Sequence, residues 1–202
     1  MTLWYFRRMS VKVKTNLLKG LIHTASLLPL CLLYVSAFNN ELGADPVEAV
    51  IHFTGIGAFN LLLLSLLVTP LAKKFKQGFL MKVRRLLGLY AFTYAFFHVL
   101  NFIAFDLQFN LSLLVDEIIK RPYITIGLAA ILLLTALAIT SVNYLKRKMG
   151  TSWQKLHNAI YLVILLVGVH FYWSVKSEII EPSIYIVISL VLLTLRWKKF
   201  KR

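Results

Sequence analysis

Every acidic residue of this chain falls in a segment that can share one side of a membrane, and nearly every basic residue falls on the other. Uncharged apolar stretches at about 21–38, 53–72, 86–105, 122–142 and 156–175 separate these segments, with a shorter sixth at 183–195. Taken alternately, one side collects 20 of the 23 Lys and Arg residues and no carboxylate. These lie between Arg7 and Lys19, Lys73 and Arg85, Lys146 and Lys155, and Arg196 and Arg202. The opposite side holds all 8 Asp and Glu residues, from Glu41 to Glu181, with only Lys120, Arg121 and Lys176. Short loops rich in Lys and Arg stay cytoplasmic, so the pattern sets both span number and orientation.

The expected fold is therefore all-α: one integral membrane domain over 1–202, a bundle of six transmembrane helices with both termini cytoplasmic. About 20 apolar residues at ~1.5 Å rise cross a hydrocarbon core of ~30 Å. The first five stretches meet that length or come close. The sixth reaches it only as 179–197, by borrowing Ile179, Ile180 and Trp197, with terminal cations snorkelling. Pro122 suits the first turn of the fourth helix and Pro182 that of the sixth. Pro70 is expected at a frayed cytoplasmic end of the second helix. The longest outer loop, 106–121, is expected to carry a short interfacial helix at Leu111–Ile119. The first stretch follows Arg7 and Arg8 without a small-residue cleavage site and reads as a retained anchor. No internal repeat of solenoid or transporter type is evident.

Hydrophobic residues make up 59% of the chain and charged residues 15%, which excludes an ordinary soluble domain. The formal charge of +15 punctuates apolar spans and forms no stripe on a soluble face. It reads as a topology signal and lipid headgroup contact, with no nucleic-acid partner. Cys31 is the single cysteine, so no internal disulfide, Fe–S cluster or Cys-rich zinc site can form. The chain carries no dinucleotide fingerprint, P-loop, metalloprotease helix or Ser-His-Asp pattern. Electrons, if it carries them, arrive on another carrier.

No Asp, Glu, Lys or Arg lies within the core of the spans, which weighs against a coupled transporter. Histidine is the titratable type left inside. His98 comes 13 residues after Arg85 on the third span, and His170 comes 15 after Lys155 on the fifth. Both lie roughly 20 Å from the cytoplasmic boundary at ~1.5 Å per residue. Two imidazoles at one depth on separate helices suit the axial positions of a b-type haem iron.

His157 sits at the cytoplasmic end of the fifth span, about 20 Å below His170 by the same rise and roughly 140° around an ideal helix. Three roles stand open for it: a second haem shared with His23, a second haem with a non-histidine ligand, or a flavin or quinone pocket. His52, at the outer end of the second span, reads as interfacial packing or as contact with a propionate or outside partner. Arg84 and Arg85 suit propionates, a flavin phosphate or simple cytoplasmic anchoring. Trp153, Tyr161, Phe171, Tyr172 and Trp173 read mainly as belt and packing aromatics.

The stretches LGADPVEAVIHFTG (42–55), VRRLLGLYAFTYAFFHVLNF (83–102), RPYITIGLAAILLLTALAITS (121–141) and WQKLHNAIYLVILLVGVHFYWSVK (153–176) closely resemble the MsrQ (YedZ) family. That family belongs to the wider ferric-reductase-like transmembrane group, and the resemblance runs in order over nearly the whole chain. It implies an electron-transport subunit of an oxidoreductase, a multi-pass six-helix cytochrome of the bacterial inner membrane. Its cofactors would be one or two haem b groups and FMN, the latter from the resemblance alone. Electrons would come from the quinone pool or a cytoplasmic flavin reductase. They would pass to a periplasmic molybdopterin-containing subunit, MsrP, that repairs methionine sulfoxide in oxidised proteins. The family's haem-ligand positions carry over to His98, His157 and His170. The larger ferric reductases add a cytoplasmic flavin and NADPH domain, and none follows Arg202, which suits a relay subunit. The competing classes are a non-redox membrane anchor and a small transporter.

Overall fold

The computed structural model describes residues 9–175 and 178–196. The expected cytoplasmic cations Arg7, Arg8, Lys198, Lys199, Lys201 and Arg202, together with Lys176 and Trp197, lie outside the described residues. Within them the chain is helical, with no strand.

Helix α1 spans Val11–Phe38 and starts where the Ser10 hydroxyl accepts the Val13 N–H at 3.3 Å. Helix α2 spans Pro46–Lys74. Asp45 caps it by accepting the Glu48 N–H at 2.9 Å, Pro46 occupies the first turn, and Lys73 and Lys74 sit at the negative end of its dipole. A 3₁₀ turn at Gly78–Lys82 leads into α3, Arg84–Asn101, which continues as a π-helical turn over Phe102–Asp106. The expected interfacial helix is α4, Leu111–Lys120, and α5 follows at Pro122–Ile139 with Pro122 in its first turn. Two short helices, α6 (Asn143–Met149) and α7 (Thr151–His157), precede α8 (Ile160–Ser174) and α9 (Ile180–Thr194).

Among the described residues, five segments are long and apolar enough to cross a membrane: α1, α2, Arg84–Asp106, α5 and Thr151–Ser174. Helix α9 is apolar but only 15 residues long. The fifth segment is not one straight helix. It breaks directly after His157, where Asn158 and Ala159 turn back on the carbonyls of Gln154 and Leu156. The ideal-helix angle between His157 and His170 therefore does not carry over.

Pro70 also differs from expectation, because α2 runs through it to Lys74. A proline donates no N–H to the carbonyl four residues back, here Leu66. That carbonyl instead accepts the Arg196 guanidinium at 2.5 Å, while a second arm of Arg196 reaches the Tyr161 hydroxyl at 3.3 Å. Arg196 is buried, so the contact is shielded from water.

The core gathers Phe59, Leu62 and Leu66 of α2 with Ala91 of α3, Leu134 of α5 and Ile164 of α8. Helix α2 packs most closely on α3, and α5 on α8, giving two helical hairpins. Helix α1 leaves Leu21, Leu28, Leu32 and Val35 exposed, which suits a surface facing lipid. Lipid gives α1 little apolar drive to dock, so polar ties matter. The Tyr94 hydroxyl donates to the Ser26 carbonyl at 2.7 Å, and the Tyr34 hydroxyl to Asn101 at 2.9 Å. Gly57 makes room for the first of these, since a methyl group there would overlap the Tyr94 ring. Replacing Tyr94 by Phe strands the Ser26 carbonyl without this donor and is expected to cost about 1 kcal/mol. A lowered thermal midpoint in detergent checks this; an unchanged midpoint would show that α1 is held by apolar contacts alone.

Candidate functional site

Each of the two hairpins presents one histidine in the same way. On the first, the Nδ1–H of His98 (α3) donates to the Ile51 carbonyl of α2 at 2.9 Å. On the second, the Nδ1–H of His170 (α8) donates to the Tyr123 carbonyl of α5 at 2.7 Å. A carbonyl only accepts, so in both rings Nδ1 carries the proton and Nε2 keeps its lone pair. The ring centres stand 6.1 Å apart with planes at 86°.

Glycine creates the approach on both sides. Gly55 lies one helical turn beyond Ile51, and a methyl group there would meet His98 Nδ1 at 3.0 Å. Gly127 lies one turn beyond Tyr123, and a methyl group would meet His170 at 2.8 Å. Only a residue without a side chain lets each imidazole reach past it to the carbonyl of the preceding turn. The carbonyl-to-histidine separation is 47 residues in both hairpins. The three positions of the second set follow those of the first by 72 residues: 51 to 123, 55 to 127 and 98 to 170. This repeat was not recognised in the sequence, because its signal is one glycine and one histidine per hairpin among interchangeable apolar residues. A glycine standing 43 residues before each of the two deepest histidines is the trace that would have revealed it.

The pair fits a haem iron. Metal–imidazole bonds of about 2 Å on each side place two ring centres roughly 6 Å apart. Both Nε2 lone pairs are available, and each ring is oriented by a bond from its other nitrogen, as metal-ligating histidines are. Among the described residues no group of three or more His, Cys, Asp or Glu side chains gathers to hold a bare ion. Two imidazoles suffice where a macrocycle supplies the remaining donors.

The other candidate residues lie elsewhere. His157 stacks on Trp153, ring centres 4.0 Å apart, and its Nε2 is 3.1 Å from the Thr140 hydroxyl. That hydroxyl donates its own proton to the Ala136 carbonyl at 2.6 Å, so Nε2 of His157 is the donor to it. Trp153 donates to the Thr140 carbonyl at 2.9 Å and lies beneath Lys146 Nζ, so it is more than a belt aromatic. His23 bonds through Nδ1 to the Tyr90 hydroxyl at 2.5 Å. The contacts of His23 and His157 thus go to different partners. The 72-residue offset carries His157 onto Arg85, whose guanidinium reaches Asn143 at 3.4 Å. The Arg84 carbonyl accepts from Ser65 at 3.4 Å. At the outer end, His52 lies 3.7 Å from Glu181 and tilts against Phe171, the neighbour of His170.

Residues 54–168 match the family model of the ferric reductase like transmembrane component. The chain is 46% identical over 188 residues to the protein-methionine-sulfoxide reductase heme-binding subunit MsrQ of Pectobacterium atrosepticum, covering 93% of this chain and 94% of that protein. It is 44% identical over 196 residues to the MsrQ subunit of Salmonella newport, covering 96% and 98%. Matched over nearly its whole length, with the paired imidazoles inside the matched frame or just beyond it, the chain belongs to the MsrQ family of haem-binding subunits within the ferric-reductase-like transmembrane group.

Proposed function

We propose that this chain is a six-span b-type cytochrome of the bacterial inner membrane, with both termini cytoplasmic. It would pass electrons outward to a periplasmic molybdopterin methionine sulfoxide reductase that repairs oxidised proteins. The supporting observation is the His98–His170 pair, two unprotonated Nε2 atoms on rings 6.1 Å apart. Haem b, when bound, supplies a one-electron carrier within the apolar bundle. His98 and His170 would hold its iron, the Ile51 and Tyr123 carbonyls keep the proton at each Nδ1, and Gly55 and Gly127 set the depth of each ring. The six-span reading makes α9 the last, short span and leaves the basic segments together on the inner face.

Two observations support a single haem. The repeat counterpart of His157 is Arg85, which could not serve as a second imidazole donor beside it, and Nε2 of His157 lies 3.1 Å from the Thr140 hydroxyl. His157, Trp153, Arg84 and Arg85 instead suit the entry of electrons from a planar donor, a quinone or FMN, on a face without carboxylates. At the outer face, 8 carboxylates against 3 cations favour a partner with a basic docking surface.

The purified chain should show sharp reduced haem bands at one haem per polypeptide. His98→Ala and His170→Ala should lose them, whereas His157→Ala should retain them with slowed reduction by donor. A colourless protein from haem-sufficient cells would falsify the cytochrome. Gly127→Ala should lower haem occupancy several-fold by displacing His170, and Gly55→Ala less, in line with the two clearances. Raising salt toward 1 M, where screening shortens to about 3 Å, should slow electron delivery to the partner. A rate indifferent to salt would remove electrostatic docking.

A further inference from the structure

The two ligand-orienting carbonyls are not equivalent. Ile51 O accepts from His98, and it also lies 3.0 Å from the Thr54 hydroxyl, which reaches Val50 O at 2.8 Å. Thr54 is fully buried at 0% exposure, so no water replaces either partner. Its oxygen in turn accepts from Asn101 Nδ2 at 3.4 Å, and Asn101 Oδ1 accepts the Tyr34 hydroxyl at 2.9 Å. Asn101 is also buried, at 2% exposure, one turn beyond His98 on α3. These bonds form a chain, Tyr34 to Asn101 to Thr54, that ends on the carbonyl holding His98. Asn101 acts only as a donor toward Thr54, so the single hydroxyl proton is directed at the two carbonyls. In the second hairpin the residue 72 positions on from Thr54 is Ile126, and Tyr123 O has no hydroxyl competitor at that position.

We propose that Thr54 is a positioning residue that would make His98 the weaker of the two imidazole donors to a haem iron and so raise the haem potential. The inference rests on the haem lying between His98 and His170. A carbonyl that already receives an O–H is a poorer acceptor for the imidazole N–H. Less negative charge then builds on His98, and it stabilises ferric iron less well. Tyr123 O draws more fully on the Nδ1–H of His170, consistent with 2.7 Å against 2.9 Å. The Tyr34–Asn101 pair extends this control to α1, whose docking holds the amide of Asn101 toward Thr54.

Spectropotentiometric titration of the purified, haem-loaded protein tests it, with low-temperature EPR of the ferric form as a second readout. Thr54→Val should shift the midpoint negative and change the ferric g values. Thr54→Ser, which keeps the hydroxyl, should stay at the wild-type potential. Ile126→Thr supplies the missing competitor on the other side and should shift the midpoint positive, so the test survives if Thr54→Val fails to fold. An unmoved or positive midpoint for Thr54→Val at full haem content overturns this inference and leaves the cytochrome standing. The same holds if the Ser and Val variants shift alike. Wild-type protein that binds no haem removes both.

Discussion

Two hydrogen bonds from imidazole Nδ1 to helix carbonyls organise this molecule. Each settles which nitrogen carries the proton, and so leaves the other able to hold a metal. Each also requires two helices to approach closely enough for a ring to reach a backbone carbonyl already engaged within its own helix. Glycine at the crossing provides that approach, and the tight α2–α3 and α5–α8 packing follows from it. The paired imidazoles and the hairpins that present them are thus one requirement met twice.

Lipid changes what holds the rest together. Apolar side chains gain little by leaving hydrocarbon for a neighbouring helix, so the bundle relies on fit and polar ties between helices. Tyr94 to Ser26 and Tyr34 to Asn101 hold α1, and Tyr185 to Asn60 holds α9 against α2 at 2.9 Å. None of these ties involves an ion pair. The three ion pairs among the described residues all lie near the outer surface, involving His52, Lys120 and Arg121.

Much of this was readable from residue order, for identifiable reasons. Charge asymmetry and stretch length located the apolar helices, because hydrocarbon penalises charge wherever it occurs along the chain. Rise per residue placed His98 and His170 at one level, since depth in a helix is a linear function of position. Rotation was less legible. The turn at Asn158 and Ala159 interrupts the fifth stretch without a proline or glycine to announce it, so the angle from His157 to His170 escaped a straight-helix reading. The hydrogen-bond partners escaped as well, because Ile51 and Tyr123 contribute backbone atoms and any residue type has a carbonyl. Arg196 looked like one more inner-face cation, and its burial depends on a proline 126 positions earlier, which no local pattern connects to it.

That long-range pairing bears on biogenesis. When the segment bearing Leu66 leaves the ribosome, its proline has already removed the local donor, and the guanidinium that replaces it lies 130 residues further along. Until then the inner half of this helix carries a backbone acceptor that lacks both its local donor and the guanidinium. Arg196 supplies that donor, so this contact of α2 can form only once the chain has been made through the end of α9.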